Sequence, residues 1–507
     1  MAATSHPDAT LAALDVLRVG GTAADAAVAA AAVQAVVDPH MTGVGGDCFV
    51  LYAPAGREPV ALNGSGRAPA ALRLETLGGV AALPDDSPHT VTIPGAVAAW
   101  EALIERFGKL GLDRALDPAI RFAREGWRVH PRVGRDWRAA QARLARGPGR
   151  DHLLRDGEAP RIADRMESPA LAGTLERIAR EGARGFYEGA VARAMTARLA
   201  ALGGAHREED FARAAAQWAA PISAPYRDRR LVEHPPNGQG LAALIIARLL
   251  SRFDLADAAL SEADRAHLLA EATKAGYRMR DAIVADPDVT KVDVEGALSD
   301  ATIDALASHI DMSRAAPAGA FDLPAQRDTV YLTVVDRDRN VCSFINSIFH
   351  AFGSTILCPT TGVLFQNRGL GFSLTPGHPN ALAPGKRPMH TIIPGLIMQG
   401  ERVETSFGVM GGQYQAAGHA QFLSRMVDLG EDPQQAADAS RSFAADGKLT
   451  LEATHTPDTA DELRRRGHEV VVSSDPMGGC QAIRIDWERG VLIGASDHRK
   501  DGFAAGF

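Results

Sequence analysis

The chain has 507 residues, 46% of them hydrophobic and 23% charged, with a formal net charge of −8. A chain of this size buries a large core, and its acidic balance argues against a general binder of nucleic acid or of membrane surfaces. Its four cysteines, Cys48, Cys342, Cys358 and Cys480, are scattered without a CxxC pair, which fits the reduced thiols of a cytoplasmic protein better than a disulfide framework or a zinc site.

In chain order, Met1 to His6 lacks the basic and apolar regions of a secretory leader. The apolar run Ala26 to Val37 is far shorter than the ~20 residues of a membrane span, so it reads as a buried helix. Residues 9–37 read as two helices meeting at Gly20-Gly21, with Asp8 as the first cap. A glycine-rich loop, Asp38 to Asp47, precedes a strand over Cys48 to Tyr52; this order of helix, glycines and strand is the reverse of a dinucleotide fingerprint. Helices are expected from Ala96 to Phe107, from Asp117 to Gly126, and over 168–182, 187–202 and 208–214. The arginine- and glycine-rich span 127–165 reads as irregular surface. A short strand near Leu231, the loop His234 to Gly240, and helices 241–250 and 261–283 follow.

From 329 the texture changes to strands at 329–336, 340–348, 362–366, 392–399 and 402–408. Helices 413–428 and 432–440 interrupt them, and short strands near 448–453, 469–473, 481–486 and 490–494 close the chain. A helix-rich region, residues 1–328, and a strand-rich region, residues 329–507, indicate a layered α+β architecture built as one structural unit.

Thr329 opens the strand that begins the second region. Cleavage of the 328–329 bond would place a free α-amine beside its hydroxyl, giving nucleophile and base on one residue. Gly411 and Gly412, between a strand and a helix, expose backbone N–H groups suited to an oxyanion. The basic turn Pro384 to Thr391 reads either as facing an acidic substrate or as a solvated loop. Among the 16 histidines there is no HExxH, and Asp336 to Asn340 lacks the glycine and glutamate of a calcium loop. Neither a metal nor a cofactor is expected.

Several segments together resemble the γ-glutamyltranspeptidase family of N-terminal-nucleophile hydrolases, in the family's order. They are Leu17 to Ala29, Gly43 to Phe49, Thr92 to Ala96, Asp117 to Ile120, Gly185 to Gly189, Pro235 to Gly240, Thr329 to Asp336, Phe352 to Ser354, Pro384 to Pro388, and Gly411-Gly412. The resemblance implies a four-layer αββα sandwich that cleaves itself between Asp328 and Thr329, leaving a heterodimer of its own products, with a dimer of these as a further expectation. It implies Thr329 as nucleophile and Gly411 and Gly412 as oxyanion donors.

The departures from the family bear on substrate. Ser65 stands where an arginine would hold a glutamyl carboxylate, with Arg67 nearby as a substitute. Arg368, Gly371, His390 and Thr391 replace the family's usual glutamyl-binding residues. Arg67, Asn346, Ser347, Arg368, His390 and Thr391 are therefore the expected substrate-binding set, and the pattern is similar to a branch that includes oxamate amidohydrolase. The expected substrate is a small amide carrying a carboxylate, because losing the partner of a substrate ammonium and adding an arginine disfavours a γ-glutamyl group. A glutathione hydrolase or γ-glutamyltransferase and a non-catalytic scaffold are the alternatives. Family members generally have a strand just ahead of the Met1 to Thr4 position; that strand is almost absent here, so the expectation is either a misassigned start codon or a sheet that lacks an edge.

Overall fold

A computed structural model describes residues 1–317 and 329–507. Two antiparallel sheets face each other. The first has seven strands in the spatial order Phe503–Ala505, Ala2–Thr4, Val330–Val335, Val341–Ser347, Asp47–Ala53, Val60–Gly64 and Gln217–Ala219. The second has six: Val491–Ser496, Gly479–Asp486, Arg402–Met410, Gly395–Gln399, Arg229–Glu233 and Ile222–Tyr226. Strands from either side of residue 329 are neighbours in both sheets, as where Ser347 lies opposite Asp47 and Gly395 opposite Glu233.

Apolar side chains including Ala3, Leu51, Val232, Val335, Leu396 and Ile483 fill the space between the sheets. Helices Pro7–Arg18 and Ala23–Val37 cover the outer face of the first sheet; Gly240–Leu250 and Gln415–Val427 cover the second, with Glu262–Ile283 packed against Gly240–Leu250. The result is the expected αββα order. Every residue of Ala23–Val37 is buried, and its nine alanines let the helix approach the sheet closely. Its start is set by a capping box in which Thr22 and Asp25 each bond the other's backbone N–H. All six residues of Val330–Val335 are buried, because an inner strand of a four-layer fold has packing on both faces. That is why it reads as a continuous apolar run rather than an alternating one.

Several expectations need correction. Ala2–Thr4 is an inner strand, with Ala2 opposite Val334 on one side and Ala505 on the other, and the edge of this sheet is filled by Phe503–Ala505, a strand the sequence reading did not place. His6, not Asp8, caps the first helix, its imidazole accepting the Asp8 N–H. The helix expected to open at Asp117 begins at Leu112 and runs through Pro118. The span 127–165 contains the helix Pro131–Leu144, which buries Val133, Trp137, Ala140 and Leu144. Its arginines on the remaining positions obscured that apolar stripe. The 362–366 strand shrinks to Val363–Leu364, paired with Leu357–Cys358. Among the described residues no helix is long and apolar enough to cross a membrane. All four cysteines are free and buried.

Candidate active site

Thr329 lies immediately before Val330–Val335 and is fully buried. Pairing of Asn346 with Val330 sets the register, so Ser347 comes beside Thr329. The Thr329 hydroxyl donates to Ser347 Oγ at 3.4 Å and accepts from Gln415 Nε2 at 3.4 Å. Ser347 Oγ also accepts the Phe349 N–H at 2.9 Å.

Side chains alternate along a strand, and Asn346 accordingly faces away from Thr329. Its amide donates to Thr42 Oγ1 and Gly43 O, and accepts from Trp100 Nε1. These bonds place the Asn346 amide on the glycine-loop side of the sheet. The same loop passes so near this strand that a Cβ on Gly46 would lie 2.3 Å from Ser347 O, a spacing only glycine permits.

Gly411 and Gly412 follow directly on Arg402–Met410, with φ of +122° and +58°. A Cβ on Gly411 would come within 3.0 Å of Gly478 Cα. Gln239 fastens this turn: its Nε2 donates to Gly412 O at 3.0 Å and to Thr391 O at 2.6 Å. Arg280 Nη1 in turn donates to Gln239 Oε1 at 2.8 Å and to Gln413 Oε1 at 2.6 Å, and the Tyr277 hydroxyl donates to Gln413 O. A fixed, water-excluded turn of this kind is what an oxyanion site needs.

Arg368 has no exposed surface. Its Nη1 donates to Thr391 Oγ1 at 3.2 Å and its guanidinium lies 4.2 Å over the Phe349 ring, while Nε and Nη2 are buried without a hydrogen-bond partner among the described residues. Burial pushes it down to about 9, a fall partly offset by the charge of Asp47. His390 is also fully buried, with its Nε2 3.2 Å from Asp47 Oδ2 in a contact not aligned as a hydrogen bond. Burial first, then Arg368, pushes its imidazole down to about 4, so it is neutral at physiological pH.

Asp47 and Gln415 escaped the sequence reading. Asp47 Oδ1 accepts from Gly66 N, Gly95 N and Gln366 Nε2, leaving Oδ2 toward His390. The signal for it was an acidic residue closing a glycine run just before an apolar strand.

Arg67 is placed differently from its expectation. It pairs with Asp286 and Asp288 and donates to Gly385 O. It lines a cavity of about 320 Å³ with Ser65, Arg213 and Arg387, which does not include Thr329, Arg368 or His390. Gly66 and Gly95, in the wall of that cavity, are the residues whose N–H groups hold Asp47. The cations of the basic turn are paired internally: Lys386 donates to Pro379 O and Ala381 O, and Arg387 to Ser65 O and Asp288. Asp328 lies outside the described residues. Among the described residues, the clusters with metal-ligand spacing, such as His267, Glu271 and His468, include no residue of this site.

A family model described as gamma-glutamyltranspeptidase matches residues 9–507. The chain is 36% identical over 518 residues to the glutathione hydrolase-like YwrD proenzyme of Bacillus subtilis, covering all of this chain and 98% of that one. It is 37% identical over 523 residues to the oxamate amidohydrolase proenzyme of Klebsiella pneumoniae, again covering all of this chain and 98% of the relative. Its structure is similar to that of a cephalosporin acylase from Bacillus halodurans, with a TM-score of 0.93 and 38% identity over 99% of this chain and 95% of that one.

Proposed function

The chain belongs to the gamma-glutamyltranspeptidase family, and on that footing we propose that it is a self-processing amidohydrolase whose nucleophile is Thr329. It is an enzyme of the hydrolase and transferase type found throughout that family. The observation that carries the reading is the buried Thr329 hydroxyl, set at the head of a central strand and contacted by Ser347 and Gln415.

In the precursor the Thr329 oxygen attacks the carbonyl carbon of residue 328, and the hydroxyl proton passes to the Thr329 nitrogen as the C–N bond breaks. Water then opens the resulting ester. The pieces 1–328 and 329–507 stay together because both sheets are shared between them. In the mature enzyme the new α-amine, with an ordinary pKa of about 7.7–8.0, takes the hydroxyl proton while Oγ1 attacks the substrate amide. The N–H groups of Gly411 and Gly412 receive the oxyanion. The amine proton passes to the departing nitrogen, and water releases the acyl group.

The substrate reading is a small amide carrying a carboxylate, as in oxamate. Arg368 supports it: two guanidinium nitrogens, Nε and Nη2, buried and unpartnered among the described residues, form a fork suited to a carboxylate. Thr391 and neutral His390 complete that wall. A relative named as an oxamate amidohydrolase agrees with this chemistry.

Denaturing electrophoresis with mass spectrometry tests the processing step. Fragments of ~35 and ~19 kDa are expected from the 53.5 kDa chain divided in proportion to length. Thr329→Ala should remain one inactive chain, and a cleaved or active variant sinks the assignment. Hydrolysis of oxamate should exceed that of a γ-glutamyl anilide, and the reverse order would make the enzyme a γ-glutamyl hydrolase.

A further inference from the structure

We propose that the Gln415 carboxamide is a further catalytic group, an N–H donor that stabilises the Thr329 oxygen as its proton leaves. The inference rests on Thr329 being the nucleophile.

The orientation of the carboxamide follows from its partners. Gln415 is fully buried, at the first position of the helix Gln415–Val427. Its Oε1 accepts the backbone N–H of Ile393 at 3.0 Å. A backbone N–H can only donate, so the oxygen end must face Ile393 and the NH₂ end must face Thr329. Nε2 sits 3.4 Å from Oγ1, and such contacts tighten when charge builds on the acceptor.

These two contacts of the nucleophile take different parts. The hydroxyl hydrogen is directed at Ser347 Oγ, and the Gln415 N–H approaches the oxygen itself. When the hydroxyl proton is transferred, the first contact loses its hydrogen and the second gains strength, because the oxygen then carries developing negative charge in a buried site. Ile393 lies two residues beyond Thr391, so the carboxamide is held by the segment that supplies one wall of the site. The donor therefore acts in both reactions: attack on the 328 carbonyl during self-cleavage, and attack on the substrate amide afterwards. It changes no bond or proton count in either. It lowers the energy of the oxygen as the O–H bond breaks and the O–C bond forms.

Gln415→Glu separates this role from a structural one. The carboxylate keeps an acceptor for Ile393 N–H and nearly the same volume, but turns an acceptor instead of a donor toward Thr329. Self-cleavage of the purified precursor and kcat of the mature enzyme are each expected to fall roughly 10- to 100-fold, with KM little changed, by comparison with loss of other catalytic donors. The added negative charge should also move the acid limb of the kcat/KM profile to higher pH, because it favours the protonated Thr329 amine. Gln415→Met, of similar length and without a donor, should lose comparable rate without that shift. Wild-type cleavage and turnover rates in either variant would overturn the proposal, as would a fall in kcat for Gln415→Glu with an unmoved acid limb. If Gln415→Glu fails to fold, the rates of Gln415→Met decide. A parent chain that neither cleaves nor turns over would instead overturn the role of Thr329 itself.

Discussion

Arg368→Met should make the protein more stable and a poorer enzyme at the same time. Burial takes the guanidinium from its ordinary strongly basic range down to about 9, even with the charge of Asp47 opposing the fall. At ~1.4 kcal/mol for each tenfold change in the ionisation equilibrium, that is roughly 5 kcal/mol of disfavoured charge. Removing the side chain also loses one hydrogen bond to Thr391 and the contact with the Phe349 ring, together about 1–3 kcal/mol. Methionine fills much of the vacated volume without adding a polar group. The expected net gain is on the order of 2 kcal/mol, read as a raised urea midpoint in the Thr329→Ala background, where the chain stays whole. In the processed enzyme the variant should raise KM for oxamate by about 10- to 100-fold, the loss of a charge-assisted fork on the substrate carboxylate. An unchanged KM, or a lowered urea midpoint, would refute the reasoning and make Arg368 a structural residue.

Other perturbations follow from the same geometry. Gly411→Ala must fit a Cβ 3.0 Å from Gly478 Cα at a φ of +122°. The turn should shift, and kcat should fall by ~10²-fold or more while circular dichroism stays native; wild-type kcat would remove the glycine pair from the oxyanion role. Acidification from pH 7 to pH 5 should destabilise the protein. Burial holds His206, His234 and His390 at about 4, so below pH 6.5 the unfolded chain binds protons that the folded one refuses. Each contributes a loss of ~2 kcal/mol at pH 5. Asp38, pushed up to about 7 by burial, works in the opposite direction by a similar amount. Together these four groups give a net loss on the order of 4 kcal/mol, and a urea midpoint that rises on acidification would contradict it.

The sequence alone determined the family, the layered α+β fold, and the strand-initial Thr329 with its glycine pair. Those features live in local signals: glycine runs, caps, and apolar strands whose two buried faces leave a continuous pattern. What tertiary structure decided was which polar residues meet. Asn346 and Ser347 are adjacent in sequence, yet pleating sends one to Thr42 and Trp100 and the other to Thr329. Arg67 and Arg368 look equally available as cations. The fold pairs the first with Asp286 and Asp288, whereas it buries the second with Nε and Nη2 unmatched among the described residues. Gln415 carries no motif, and Gln239 is one unmarked residue of the Pro235 to Gly240 loop. Their importance comes from contacts 86 and 152 residues away along the chain, to Thr329 and Thr391. Hydrogen-bond partners at such separations are set by the register of the two sheets, and no periodicity within a single segment records that register.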